Sequence, residues 1–347
     1  MVRLRAAANG LAGPPCATPA EVAGRLLAVQ SQDVQPSAWS IAQRLDGATE
    51  QVVERSRASG ELVRTHVLRP TWHDVRAEDL RWLLALTGPR VLALMTSVRR
   101  ELALDDDVLR TARRVVEEVL PGRHLTRPQI TAALAAAGLA LDARAAGHAL
   151  MALELQGVVC SGARAGRAQT YALLDERVAP AAPLGHEEAV ALLVRRFLTG
   201  HGPATVADLA WWSGLLVRDL RAALTDLGPA VRRDEVVGLE LWSAVDAPPA
   251  ADPPAVALVQ LYDEHLVAFT QSKHLTDPGR VTSTRVRPYL GVVLTAGTVA
   301  GSWGRTLGRR GVTVRVELLH PVDPDGLATA AAAYGAFVGL PVTLARD

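Results

Sequence analysis

One order of elements, two helices followed by a β-hairpin, comes round three times in this chain, and that constrains the fold most. In the first pass, Thr18-Pro19-Ala20-Glu21 reads as a capping box with proline at the first helical position. Val22, Leu26 and Val29 then recur at helical spacing, so the helix is expected to run into Gln30-Ser31-Gln32-Asp33 and to end or restart at Pro36. Helices are expected near 38–45 and 49–58, and residues 62–68 and 72–75 read as strands around the turn Arg69-Pro70-Thr71.

In the second pass Thr126 is the candidate N-cap of a helix over 125–138. A helix over 142–156 and strands at 158–161 and 170–174 follow, joined by a loop that carries Arg164 and Arg167. In the third, Gly202-Pro203-Ala204-Thr205 caps a helix through Trp211-Trp212, followed by a helix over 217–227 and a hairpin over 231–242. Repetition at roughly 70–80 residues is too long for a solenoid and predicts small winged-helix modules in tandem.

A Pro-rich linker over 247–254 introduces a more β-rich remainder. There 255–269 is an apolar run broken by Asp263-Glu264-His265, strands are expected at 289–294, 298–303 and 312–318, and a helix closes the chain near 324–338. The expected class is α+β. Its modules run over 1–115, 116–182 and 183–248, with a C-terminal β-rich unit over 249–347.

Composition excludes several classes of function. Hydrophobic residues make up 49% and charged residues 21% of the 347, enough for real cores. No apolar run approaches the roughly 20 residues a bilayer requires. The basic start Met1-Val2-Arg3-Leu4-Arg5 leads into an Ala/Gly/Pro-rich stretch and not into an apolar block, so no secretory signal is expected. The two cysteines, Cys16 and Cys160, suit a reducing compartment, and a cytoplasmic, nucleoid-associated protein is expected. Net charge is +1, so any phosphate-binding surface must be local. All 37 basic residues are arginine except Lys273. Arginine suits phosphates and base edges, although a GC-rich coding sequence produces the same bias.

Signature motifs are mostly missing. HExxH, paired CxxC, the zinc deaminase pattern, Walker and Rossmann glycine loops and GxSxG are all absent from the sequence, so neither a metal nor a cofactor is expected. Asp105-Asp106-Asp107 precedes an apolar-periodic helix and reads as a cap. Asp263-Glu264-His265, taken as strand residues, alternate between faces and cannot chelate one ion together. A structural salt bridge or a strand-end cap is the expected role.

Gln30-Ser31-Gln32 stands out. On a regular helix residues two apart lie about 200° apart and share no target. If the helix ends at Gln30, the extended residues beyond it point both carboxamides the same way. An ordinary polar helix end is the alternative.

Several segments, in order, resemble the winged-helix DNA glycosylases of the AlkZ type. They are residues 26–33 around Gln30-Ser31-Gln32-Asp33, 63–73 through Arg69-Pro70-Thr71-Trp72-His73, 202–214 with Trp211-Trp212-Ser213-Gly214, Leu261-Tyr262-Asp263-Glu264-His265-Leu266, and Val299-Ala300-Gly301-Ser302-Trp303. The ordered set is specific, although no single segment is. The resemblance implies tandem winged helices in a C-shaped clamp with a C-terminal β unit. It also implies a Gln-x-Gln catalytic signature, which falls on Gln30 and Gln32.

The chemistry implied is hydrolysis of the N-glycosidic bond of N7- or N3-alkylated purines in duplex DNA, with bulky adducts and interstrand crosslinks as further candidates. Asp33 is a second candidate water activator. Strand nicking needs an amine, and Lys273 is the only lysine, so base release alone is expected. DNA contacts are expected from Arg64, His66, Arg69 and His73 in the first hairpin, Arg164 and Arg167 in the second wing, and Arg309 and Arg310 in a late turn. Packing beside Trp72 is the alternative for the two histidines, and solubility at exposed turns is the alternative for the four turn arginines. A monomer is expected. The competing readings are a winged-helix transcription regulator, which usually needs two-fold symmetry, and a damage-binding protein without catalysis.

Overall fold

Local capping chemistry decides where the helices begin. In the computed structural model, which describes residues 1–279 and 291–346, the Thr18 hydroxyl accepts from the Glu21 N–H at 3.1 Å. The Glu21 carboxylate accepts from the Ala17 N–H at 2.9 Å, and these two bonds open the helix Pro19–Leu26. Asp105 accepts from Val108 N–H at 2.9 Å and starts the helix Asp106–Val119, which makes the triple-Asp run a cap. Thr126 and Gln129 form a capping box before Arg127–Ala136, and Asp142 accepts from Ala145 N–H at 2.7 Å to open Ala143–Leu155. Thr205 and Asp208 cap Val206–Ser213 reciprocally.

The fold is mixed α+β, and the chain divides into two compact units, Arg55–Ala189 and the combination of Met1–Glu54 with Val190–Asp347. In Arg55–Ala189 the strands Leu62–Val67 and Arg69–Arg76 pair antiparallel. The helices Asp106–Val119, Arg127–Ala136 and Ala143–Leu155 close over a core containing Val116, Ile130, Leu134, Leu150 and Leu153. Strands Val159–Ser161 and Thr170–Leu173 pair antiparallel, and Leu125–Thr126 joins them on the far side of Thr170–Leu173. The helix Ala77–Leu94 lies so close to Ala143–Leu155 that a Cβ on Gly88 would come within 2.5 Å of the Leu155 carbonyl oxygen. Only glycine permits that approach.

The other unit contains the helices Val206–Ser213 and Val217–Leu227, the hairpin Val231–Val236 with Leu239–Ala244, and a five-stranded sheet. Sheet order is Val342–Arg346, Val312–Leu318, Thr298–Leu307, Gly291–Thr295, Val256–Val259. Its first pair is parallel and the rest antiparallel. The closing helix Pro324–Val338 covers this sheet. Tyr334 meets Trp303 at 5.0 Å and Trp39 at 5.3 Å between ring centroids, both edge-on. The Trp39 and Trp303 indole N–H groups donate to the Leu258 and Val259 carbonyls, at 2.6 and 2.8 Å. The Trp39 bond fixes the helix Val34–Ala42, which directly follows the Gln-x-Gln segment, to the sheet, and the Trp303 bond ties two strands of the sheet together.

Three sequence expectations change. The first helix stops at Leu26, because Leu27 adopts φ 62°, and Val29–Gln30 is extended. With ψ −40°, Leu27 forms the centre of a tight γ-turn closed by the Ala28 N–H to Leu26 carbonyl bond at 2.7 Å, a rare and strained conformation held in place by complete burial of Leu27, Ala28 and Val29. The run 255–269 is a four-residue strand, Val256–Val259, and then a short helix, Glu264–Val267, so Asp263 caps a helix and does not end a strand. The strand Val342–Arg346 was not anticipated. Tyr289 and Leu290, read as the start of a strand, lie outside the described residues.

Candidate active site

The Gln-x-Gln segment is held by its main chain. Gln30 N–H donates to Glu264 Oε1 at 2.9 Å, and Gln260 Nε2 donates to the Gln30 carbonyl at 3.2 Å. Glu264 Oε2 accepts from Trp212 Nε1 at 2.8 Å and lies 3.3 Å from His201 Nε2. Glu264, Trp212 and His201 are fully buried, and Phe197 stacks on His201 with ring centroids 4.7 Å apart. Ser31 is buried, with its hydroxyl 2.7 Å from that of Ser37, whereas Gln30 is 8% exposed and Gln32 is exposed. Asp33 lines a cleft together with Trp39, Gln260, Trp303, Arg305 and Tyr334.

The neighbouring helix turn is fixed by charge. Arg44 grips Asp263 bidentately, at 2.8 and 2.9 Å, with neither side chain exposed. Burial works to raise the Asp263 carboxyl, but Arg44, Ser40 and the His265 N–H together hold it below the usual carboxylate range. His265 accepts from Asn9 Nδ2 at Nδ1 and donates from Nε2 to the Gly297 carbonyl, both at 2.8 Å. Those partners select the neutral ring, since a second ring proton would face an amide donor. Burial drives its pKa down to about 4. Asp263-Glu264-His265 therefore has three structural assignments: an ion pair, a main-chain anchor and a neutral hydrogen-bond bridge. Its sequence signals were charge breaking an apolar run and its place in the resemblance segment 261–266. Trp212 stood in the resemblance segment 202–214, whereas Gln260 and His201 gave no signal of their own.

The first hairpin uses its polar side chains internally. Arg64 is buried with its guanidinium 4.0 Å from the Trp72 ring centre, and burial lowers its pKa to about 10. His66 Nδ1 lies 2.5 Å from Glu154 Oε2, and its ring packs on Trp72 at 4.1 Å. Burial pushes the Glu154 carboxyl up. His73 is fully buried, with Nδ1 at 3.0 Å from the Thr71 carbonyl, and burial followed by Arg69 pushes its pKa well below the ordinary histidine value. Arg64, His66 and His73, expected among the DNA contacts, all lie under the surface; His66 packs beside Trp72, the alternative given for the two histidines, and His73 meets the Thr71 carbonyl through Nδ1 alone. Arg69 is half-buried.

In the second loop Arg167 is exposed, and Arg164 is half-buried and donates to the Arg167 carbonyl at 2.9 Å. Arg309 and Arg310 are exposed in the turn closed by the Gly308 N–H to Gly311 carbonyl bond. Among the described residues no group of three His, Cys, Asp or Glu side chains is placed to hold a metal, and no helix is long and apolar enough to cross a membrane.

The model of the AlkZ-like DNA glycosylases covers residues 23–337. The chain belongs to the AlkZ-like DNA glycosylase family and is accordingly an enzyme of the hydrolase class. It is 24% identical over 306 residues to the interstrand DNA cross-link repair glycosylase of Streptomyces sahachiroi, a match covering 82% of this chain and 81% of that protein. It shares its fold with the structure of the Streptomyces sahachiroi DNA glycosylase AlkZ, at a TM-score of 0.80 and 22% identity, covering 99% of this chain and 98% of that one.

Proposed function

We propose that this glycosylase hydrolyses the bond between deoxyribose C1′ and an N7- or N3-alkylated purine in duplex DNA, acting as a monomer. Gln30 and Gln32 hold the attacking water. One observation carries the reading: the Gln30 main chain is pinned on both sides at the end of the extended pair Val29–Gln30, and Gln32 two residues on is exposed.

The substrate chemistry suits amides. An alkylated purine is already cationic, so when the C1′–N bond breaks the electron pair neutralises the departing base and no strong acid is needed. Water attacks the oxocarbenium-like carbon, and its proton passes to solvent. A carboxamide oxygen accepts one hydrogen bond from that water and orients its lone pair, which supplies positioning and electrostatic stabilisation with little base strength. Unmodified bases, whose departure requires protonation, would be spared. The cross-link glycosylase relative makes bulky purine adducts and interstrand crosslinks natural candidates. The product would be an abasic site, cut only by later alkali.

We read the helix–hairpin sets at Arg127–Leu173 and Val206–Ala244 as winged helices, with exposed arginines such as Arg167, Arg309 and Arg310 supplying phosphate contacts. Replacing Arg164, Arg167, Arg309 and Arg310 should flatten the salt dependence of DNA binding by about one unit of slope for each phosphate that is no longer neutralised. An unchanged slope would move the interface elsewhere.

Single-turnover release of N7-methylguanine from saturated complexes tests the site. Gln30→Ala and Gln32→Ala should each slow release about tenfold to a hundredfold, and the double variant should be little worse than the worse single, because one water is shared. Wild-type rates in the double variant would remove both residues from the mechanism. Binding to alkylated duplex with no release by the wild type would favour a damage-binding protein.

A further inference from the structure

We infer that Glu264 and Gln260 are positioning residues for the proposed reaction, forming a clamp that fixes the direction in which Gln30 presents its side chain. The inference rests on the Gln30/Gln32 reading above and adds two residues to it.

The hydrogen bonds from the two residues fall on opposite sides of one Cα. Glu264 takes the N–H of Gln30, which belongs to the peptide before that Cα, and Gln260 serves the carbonyl of Gln30, which belongs to the peptide after it. With both flanking peptides tied, the Cα–Cβ direction of Gln30 is set. The residue before it adds to this, since Val29 is fully buried.

The clamp is itself held firmly. Gln260 follows the strand Val256–Val259 directly, and Glu264 is the first residue of the helix Glu264–Val267, whose cap Asp263 is locked by Arg44. The far oxygen of Glu264 is tied to the Trp212 indole and faces His201. Burying a carboxylate is costly unless its lone pairs are satisfied. Here one of those lone pairs serves the main chain of a two-residue extended segment 234 positions away in sequence. A fixed Cβ direction matters because a positioned water tolerates little displacement, and misplacement by about 1 Å can cost a hundredfold in rate.

The experiment uses Glu264→Met and Gln260→Met, unbranched replacements that keep the volume and remove one grip each. Both are measured for single-turnover release of N7-methylguanine at saturating duplex, for affinity toward the same duplex and for folding by circular dichroism. The expected result is a loss of about tenfold in the release rate for each folded variant, with duplex affinity unchanged. In a Gln30→Ala/Gln32→Ala background the same substitutions should add nothing to the residual rate, because they act only through those side chains. If Glu264→Met does not fold, Gln260→Met decides alone. Wild-type release by the folded clamp variants overturns the inference, and so does a loss that persists undiminished in the double-alanine background. Full activity in Gln30→Ala/Gln32→Ala removes the parent reading instead. A dead glutamine pair with unaffected clamp variants removes only the clamp.

Discussion

Two stretches of the chain satisfy their polar groups in opposite ways. In the segment 29–33 distant side chains hold the main chain: Glu264 and Gln260 take the N–H and carbonyl of Gln30, and Gln32 reaches the surface. In the hairpin of Leu62–Val67 and Arg69–Arg76 the side chains themselves are the ties. Arg57 pairs with Asp74 at 2.6 and 3.0 Å, His66 meets Glu154, Arg64 lies over Trp72, and His73 reaches the Thr71 carbonyl. Both stretches were singled out from sequence, the first for its Gln-x-Gln spacing and the second as the hairpin after the first helices, and both carry the family resemblance. The contrast teaches that a polar side chain is available for chemistry where the backbone beneath it is anchored by something else, and is consumed where it is the anchor.

The largest effects should come from breaking the buried ion pairs, one beside each stretch. Asp263→Ala leaves Arg44 buried without its carboxylate, and Asp74→Ala does the same to Arg57. Each should cost about 3–5 kcal/mol in denaturant unfolding followed by tryptophan fluorescence. The two should then differ in activity per folded molecule. Asp263 starts the helix that carries Glu264, so its loss should also slow base release, whereas the Asp74 variant should release base normally once folded. Equal activity losses would erase the distinction between the stretches.

Acid should expose the next largest effect. His265 has a folded-state pKa of about 4, lowered first by burial and further by Arg44 and Arg5, against about 6.5 in an unfolded chain. As pH falls below 6.5 the unfolded chain takes up a proton that the folded one refuses, so stability declines until pH reaches about 4. The loss amounts to roughly 3 kcal/mol. His73 pushes in the same direction from the hairpin. Stability measured between pH 7 and 4 should fall less steeply in His265→Gln, which does not titrate. An identical slope would mean that other groups carry the transition.

His66→Ala ranks third. It strips Glu154 of its partner and should cost about 1.5–3 kcal/mol, with no change in release rate by the folded fraction. A rate defect without a stability defect would restore the hairpin as a DNA-facing site. Gln32→Ala should have the smallest effect on stability, under about 0.5 kcal/mol, because the side chain is exposed, even though it slows release. A Gln32→Ala enzyme that unfolds easily would mean that this glutamine is an anchor too.

How much could be read in advance follows the range of each interaction. Thr18 with Glu21, Asp105 with Val108, Thr126 with Gln129 and Thr205 with Asp208 are caps made three residues apart, so their chemistry is written in adjacent letters. The paired strands 231–236 and 239–244 and the helix 217–227 were legible for the same reason, as was the candidacy of Gln30 and Gln32 through their spacing and family signature. What could not be read depends on partners far along the chain. Leu27 leaves the helix with φ 62° in a fully buried setting that no local rule anticipates. His66 is consumed by Glu154, 88 positions away, and Gln30 is tied to Glu264, 234 positions away. A sequence window records propensity and periodicity. Which buried donor meets which acceptor is decided only when the chain closes on itself, because a polar group removed from water must take whatever partner the packing brings within about 3 Å.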